Sequence, residues 1–236
     1  LLPELAVPRV VFARDDPALF VSEGVTGVPL SWEIASGLDA GRLGGVADQL
    51  GRFIAHLHGL DPATVLDGLH EVVPHAQSTT DLLRDRYPRL VDEARGRKVL
   101  AWCDQVDAAL DPVSAPPDVV VHGDLHGHNQ VWDPETLDLR LVVDFGECGL
   151  RDPNFDFRYL PGNAATLDLV HAVVAAYERE SGRRLDLDRI KGWQILTHLG
   201  DALWRTEAGV ELPGGGDAST YVDDLERRLA QFASGA

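Results

Sequence analysis

Two stretches of this chain decide its fold: His122-Gly123-Asp124-Leu125-His126-Gly127-His128-Asn129, and, twenty residues beyond Asp124, Asp144-Phe145-Gly146-Glu147-Cys148-Gly149-Leu150-Arg151-Asp152-Pro153-Asn154-Phe155-Asp156-Phe157. The first follows Val119-Val120-Val121, a β-branched run that reads as a buried strand ending in His122. Between them, Gln130–Trp132, the turn Asp133-Pro134-Glu135 and Leu139–Asp144 read as a hairpin that carries Asp144 back beside Asn129. In the second stretch Asp152-Pro153 is a helix-start signal, with Asp as N-cap and Pro at the first helical position.

Three chemistries compete for these residues. Asp124, His126 and His128 have metal-ligand side chains, and Gly-Asp-Leu-His-Gly is similar to the first motif of calcineurin-like metallophosphoesterases. That site needs a further Gly-Asp segment and a Gly-Asn-His, yet Gly162-Asn163 is followed by Ala164 and Gly200-Asp201 by Ala202, so the ligand set stays short. A solvated turn with local side-chain caps is the plain structural alternative. The third reading is phosphoryl transfer. Protein kinases place Asp-x4-Asn after a His and Asp-Phe-Gly downstream, and Asp124, Asn129 and Asp144 stand in that order and spacing. Asp124 can orient the attacking hydroxyl and accept its proton, while Asn129 and Asp144 can hold Mg²⁺ on the nucleotide phosphates. Each motif alone is weak; the two in order, joined by a hairpin, are specific.

Together HGDLHGHN and VVDFGECGLRDPNFDF resemble the signature segments of the aminoglycoside phosphotransferase family, closest to its 2″-phosphotransferase-like subgroup. The Leu43–Leu57 periodicity, ending in Leu57-His58-Gly59-Leu60, is similar to that family's first long C-lobe helix. The resemblance implies a protein-kinase-like α+β fold: a mostly helical C-lobe with a small β hairpin, preceded by the last strands of an N-lobe. It implies Asp124 as catalytic base, Asn129 and Asp144 as Mg²⁺ ligands, and Asp156 as a brace of the catalytic loop, with simple helix capping as the alternative for Asp156. His122 is then expected to be buried behind the loop, and His126 and His128 to be surface residues. Ser22, Glu23, Gly24 and Val25 fall where the family's hinge passes the base of ATP or GTP.

Outward from this centre, Val10, Val11 and Phe12 within residues 8–14, and residues 18–25, read as two short strands about the turn Asp15-Asp16-Pro17. Residues 61–78 read as a loop. Helical stretches are expected at 79–95, 98–110, 165–181, 187–208 and 218–234, with a Pro213-Gly214-Gly215-Gly216 break before the last. Residues 1–30 are expected to be a remnant of an N-lobe with its hinge, and 31–236 the helical C-lobe. A kinase-like site also needs a glycine-rich loop and a strand lysine. No glycine precedes Gly24, and the two lysines, Lys98 and Lys191, lie far beyond the hinge. With no Met in 236 residues, the expectation is a chain lacking most of its N-lobe and incomplete for activity; a natural pseudokinase-like binding module is the alternative.

Composition bounds the partners. At 44% hydrophobic and 25% charged the chain is an ordinary globular one. A net charge of −17, with 21 Lys and Arg against 38 Asp and Glu, argues against nucleic acid and anionic membranes and suits a cationic small molecule. No apolar run reaches the roughly 18 residues of a membrane span. Two cysteines exclude a disulfide framework and fit a reducing, cytoplasmic setting. Asp201, Trp204 and Glu207 recur at i, i+3, i+6: two carboxylates about an aromatic ring suit an aminocyclitol carrying ammonium groups. A core Trp flanked by two solvated acids is the alternative. Glu147 and Glu178 are further candidates for the substrate. The expected activity is therefore Mg²⁺-dependent transfer of a nucleotide γ-phosphate to an aminoglycoside hydroxyl, of the antibiotic-resistance type. The alternative within the same fold is a kinase of a metabolite or a macrolide.

Overall fold

The computed structural model describes residues 6–15, 18–65 and 79–234; Asp16 and Pro17 of the expected turn, and residues 66–78 of the expected loop, lie outside the described residues. Among the described residues, seven short strands make three small antiparallel sheets. β1 (Val10–Asp15) and β2 (Ala18–Ser22) form the N-terminal hairpin. β3 (Val28–Pro29) joins an expected hairpin, β5 (Gln130–Trp132) with β6 (Leu139–Val142), in register Val28↔Trp132 and Gln130↔Val142. The buried β4 (Val119–Val121) pairs with β7 (Gly149–Arg151), Val119 opposite Arg151 and Val121 opposite Gly149. Neither β3 nor β7 is marked by a run of alternating residues; both are two- or three-residue partners that pairing creates.

Helices fill the rest. α1 (Trp32–Ser36) is capped by Ser31, whose hydroxyl accepts from Ile34 N–H. α2 (Ala40–His58) begins a turn before the Leu43 periodicity, because the Asp39 carboxylate accepts from Arg42 N–H at 2.9 Å and satisfies an orphan donor. α3 (Pro62–Val65) is a single turn. The stretches expected at 79–95 and 98–110 divide elsewhere: α4 (Thr80–Arg86) runs into a 3₁₀ turn at Tyr87–Arg89, and α5 (Glu93–Ala109) begins after Asp92. Pro88 cannot continue the α-helical ladder and Asp92 caps the next one, accepting from Arg95 N–H. α6 (Asp168–Ser181), α7 (Leu187–Ala208) and α8 (Ala218–Ser234) complete the chain, the last two with their expected bounds.

Among the described residues two large apolar cores hold most of these elements, beside a small third cluster of Val119, Val121 and Phe155. One gathers α2, α6 and the strands around Leu50, Ile54, Trp132, Phe157 and Tyr177; the other sits among α4, α5, α7 and α8 around Tyr87, Val99, Leu199, Leu203 and Val222. Each large apolar side chain fully buried there contributes about 1.5–3 kcal/mol before entropy is counted. At the α2–α6 crossing Gly51 lets the backbones touch: a Cβ there would stand 2.6 Å from Ala176 Cβ and 2.8 Å from Tyr177 N. That crossing fixes His58, at the end of α2, beside Tyr177 of α6. The loop that leaves β4 therefore emerges against a rigid backing.

Candidate active site

β4 ends in His122, and the backbone then turns sharply at Gly123. Gly123 has φ +88°, and a Cβ would lie 2.1 Å from the Glu147 carbonyl oxygen, so only glycine fits between the two quoted segments. The loop is held from behind by Asp156, which is fully buried. Its Oδ2 accepts from His122 N–H at 2.8 Å and its Oδ1 from Gly123 N–H at 2.9 Å. His58 Nε2 lies 3.1 Å from Oδ2, and its Nδ1 lies 3.0 Å from the Tyr177 hydroxyl. Burial works to raise the Asp156 pKa, but the His58 bond and charge, with the Gly123 N–H, hold this carboxyl below the usual range. His122 is itself buried: Nδ1 accepts from Asp124 N–H, which leaves Nε2 to donate to the Val143 carbonyl at 2.9 Å. Phe145 packs on its imidazole, ring centroids 4.5 Å apart.

Asp124 points into a partly open position, its side chain 27% exposed. Oδ1 accepts from the Tyr159 hydroxyl at 2.8 Å, and Oδ2 accepts from Asn129 Nδ2 at 3.2 Å. His126 Nε2 stands 3.4 Å from Oδ2 and Arg158 Nη2 stands 3.9 Å from Oδ1. Burial raises the carboxyl pKa; the His126 and Tyr159 bonds and the Arg158 charge outweigh it and bring it down to about 2. Asp124 is thus ionised throughout the physiological range. His126 is not a bystander at the surface: Nδ1 accepts from His128 N–H, so the Nε2 proton faces Asp124, whereas His128 is exposed.

Asn129 is nearly buried, and its carbonyl accepts from Val143 N–H at 2.9 Å, so the β5–β6 hairpin sets Asp144 next to it. Asp144 is exposed and takes a left-handed backbone, φ 65° and ψ 63°, a strain of about 1–2 kcal/mol for a residue with a Cβ. Asn129 Nδ2 is engaged by the Asp124 carbonyl and carboxylate, which leaves the acceptor oxygen Oδ1 to coordinate a cation. An amide oxygen and a carboxylate are the hard donors that suit Mg²⁺, which keeps waters and takes phosphate oxygens for its remaining positions. Among the described residues no three His, Cys, Asp or Glu gather to hold a metal, so the cage a metallophosphoesterase would need is not formed there.

The other expected residues fall in different places. Ser22 ends β2, and Glu23 N–H extends the hairpin by bonding the Arg9 carbonyl at 2.9 Å; Glu23, Gly24 and Val25 are exposed. Glu147 sits in the turn after Asp144, its carbonyl against Gly123. Glu178 is not brought to this cluster: its carboxylate accepts from Leu185 N–H at 2.9 Å and from Arg184 at 2.5 Å, closing the α6–α7 connection. Trp204 on α7 is 57% exposed, which removes the core alternative. Its two flanking acids are ion-paired rather than merely solvated, Asp201 with Arg205 at 2.9 Å and Glu207 with Arg86 at 2.9 Å.

Several supports of the site carry little signal in the sequence. His58 was visible only as the end of a helix. Arg158 and Tyr159 directly follow the second motif, and that adjacency was the available signal. Asp152 does more than cap: it accepts from Arg189 Nε and Nη2 at 2.8 and 2.6 Å and from Trp193 Nε1 at 3.1 Å, tying α7 to the motif.

A β-hairpin that sets Asp144 beside Asn129, next to the Asp124 loop and backed by a helical lobe, is the arrangement of a kinase-like fold. The chain belongs to the phosphotransferase enzyme family (APH), whose model matches residues 1–195. It is 30% identical over 210 residues to streptomycin 3″-kinase of Streptomyces griseus, covering 84% of this chain and 74% of that protein. It is 29% identical over 153 residues to viomycin phosphotransferase of Streptomyces vinaceus, covering 60% of this chain; the match spans 49%, about half, of that relative's length. Among solved structures it is similar to the GDP and kanamycin complex of an APH(2″) enzyme, with a TM-score of 0.74 at 20% identity, over 96% of this chain and 77% of the other.

Proposed function

We propose that this protein transfers the γ-phosphoryl group of ATP or GTP to a hydroxyl of an aminoglycoside antibiotic, with Asp124 as its catalytic residue. The observation that carries the reading is the Asp124 carboxylate, held ionised by Tyr159 and His126, bonded to Asn129, with Asp144 delivered alongside. In the reaction the acceptor oxygen bonds to the γ-phosphorus, the bond to the bridging oxygen of the nucleoside diphosphate breaks, and the hydroxyl proton passes to Asp124. A carboxylate with a pKa of about 2 is a weak base, so its main work is to orient the hydroxyl, with the proton moving late. That suits a loose transition state in which the nucleophile is little bonded. Asn129 Oδ1 and the Asp144 carboxylate would hold Mg²⁺, which neutralises charge on the phosphates when bound. Residues up to 30 present the hairpin and the Ser22–Val25 hinge to the base, and residues 31–236 carry the catalytic loop.

Exposed Trp204 with Asp201 and Glu207 on α7, and Glu147 beside the catalytic loop, would meet a cationic sugar, in keeping with the net charge of −17. Both cysteines are free and buried, which fits the reducing cytoplasm where the nucleotide is found. No helix among the described residues is long and apolar enough to cross a membrane. A panel of aminoglycosides, macrolides and small alcohols, assayed for nucleoside diphosphate release with the full-length protein, tests the substrate. D124N should lose turnover and keep Mg²⁺–nucleotide binding. Turnover on macrolides or metabolites alone would refute the aminoglycoside assignment, and no turnover with any acceptor would refute the kinase.

A further inference from the structure

The phenol of Tyr159 is wired in one direction only. Arg158 Nη2 lies 3.1 Å from the Tyr159 oxygen, and a guanidinium can only donate, so the phenol oxygen is the acceptor of that bond. The single phenolic proton is then left for Asp124 Oδ1, 2.8 Å away. Arg158 is itself fixed: its side chain is 5% exposed, Nη2 also donates to the Gly123 carbonyl at 2.6 Å, Nη1 donates to the Phe155 carbonyl at 3.0 Å, and the guanidinium stacks 3.7 Å over the Phe155 ring. The Tyr159 ring is held by the same guanidinium at 4.2 Å and by the edge of His126 at 5.6 Å. A rigid chain therefore runs from the Gly123 turn through Arg158 and Tyr159 to one oxygen of the carboxylate.

We infer that Tyr159 is a positioning residue for phosphoryl transfer: by holding Asp124 Oδ1 it fixes the rotation of the carboxylate and leaves Oδ2 to meet the acceptor hydroxyl. The division of partners supports this. Oδ1 takes the short Tyr159 bond, while Oδ2 has the longer contacts, Asn129 at 3.2 Å and the partly exposed His126 at 3.4 Å. The Asn129 contact on Oδ2 is long and shared with the Asp124 carbonyl, and His126 can yield to a substrate; the buried chain on Oδ1 has no such freedom. Burial raises the Tyr159 pKa, and the neighbouring Asp124 charge adds to it, so the phenol remains a donor at any working pH.

This role rests on the proposed kinase reading, and the test separates the two. In the full-length protein, Y159F removes only the hydroxyl and keeps the ring that packs on Arg158 and His126, while Y159A removes both. Both kcat values are expected to fall about tenfold, with the nucleotide KM within about twofold of wild type. Y159F at the wild-type rate, with a loss confined to Y159A, would show that only the ring matters and overturn the inference. A nucleotide KM that rises in step with the loss of kcat would also overturn it. Absence of wild-type turnover would overturn the kinase reading, and this role with it.

Discussion

Replacing Asp156 by Asn tests the brace behind the loop with the least change of shape. The wild-type carboxylate accepts three bonds in a fully buried place: from Gly123 N–H on Oδ1, and from His122 N–H and His58 on Oδ2. An amide keeps one acceptor oxygen and turns the other into a donor. With the oxygen left to Gly123, the new NH₂ meets His122 N–H head on; His58 can move its proton to Nδ1 and accept, but a backbone N–H cannot. One buried N–H without a partner costs about 1–3 kcal/mol, and bonds that lose their charge cost about 1 kcal/mol more. The sum, about 2–4 kcal/mol, is a large share of the roughly 5–15 kcal/mol that keeps a domain folded. It corresponds to a fall in Tm of roughly 4–16 °C for a chain of this size.

The sign of the pH dependence follows from the depressed pKa of Asp156 in the folded state. Its ionised form contributes stability that is complete above the unfolded value of about 3.9 and is lost as pH falls through the lower folded value. D156N lacks that dependence, so the gap between the two proteins should be widest near neutrality and narrow on acidification below about pH 4. Thermal unfolding and urea titration at neutral and acid pH measure both. A Tm within about 2 °C of wild type at neutral pH, or a gap that widens in acid, would refute the reasoning.

Further outcomes follow from the same geometry. G123A drives a Cβ into the Glu147 carbonyl at a φ of +88° and should lose phosphoryl transfer together with several degrees of Tm; a normal Tm would show that the two segments part easily. D144N should raise the Mg²⁺ needed for half-maximal nucleotide binding at least about tenfold, without lowering Tm, because Asn tolerates the left-handed backbone as well as Asp. Unchanged Mg²⁺ dependence would remove Asp144 as a ligand. D201A and E207A each break an exposed pair worth about 0–1 kcal/mol, so stability should hardly move. The aminoglycoside KM should rise several-fold more than the nucleotide KM, and an unchanged drug KM would take α7 out of the substrate site.

Much of this protein was legible from neighbours along the chain. α7 and α8 were bounded in advance because periodicity and the break at 213–216 act within a turn or two of each other. The β5–β6 hairpin, and with it the meeting of Asn129 and Asp144, followed from a short turn between two strands. The division of α4 from α5 was misplaced, although Pro88 and Asp92 were both in view, because apolar spacing carries across a break that a cap decides.

The partners set by packing lie at long range. Asp156 binds residues 33, 34 and 98 positions away, and Tyr159 reaches Asp124 over 35, so no window of sequence holds both partners. Exposure and partners behaved the same way: Trp204 could be core or surface until α7 packed, and the partners of Glu178 were set only when the α6–α7 connection closed. The physical reason is common to these cases. Spacing along the chain fixes which groups a turn or hairpin can join, whereas the partner of a buried charge is chosen by the packing that excludes water around it. The reactive groups and their order are written along the chain; which of them are held, and by what, is set by packing.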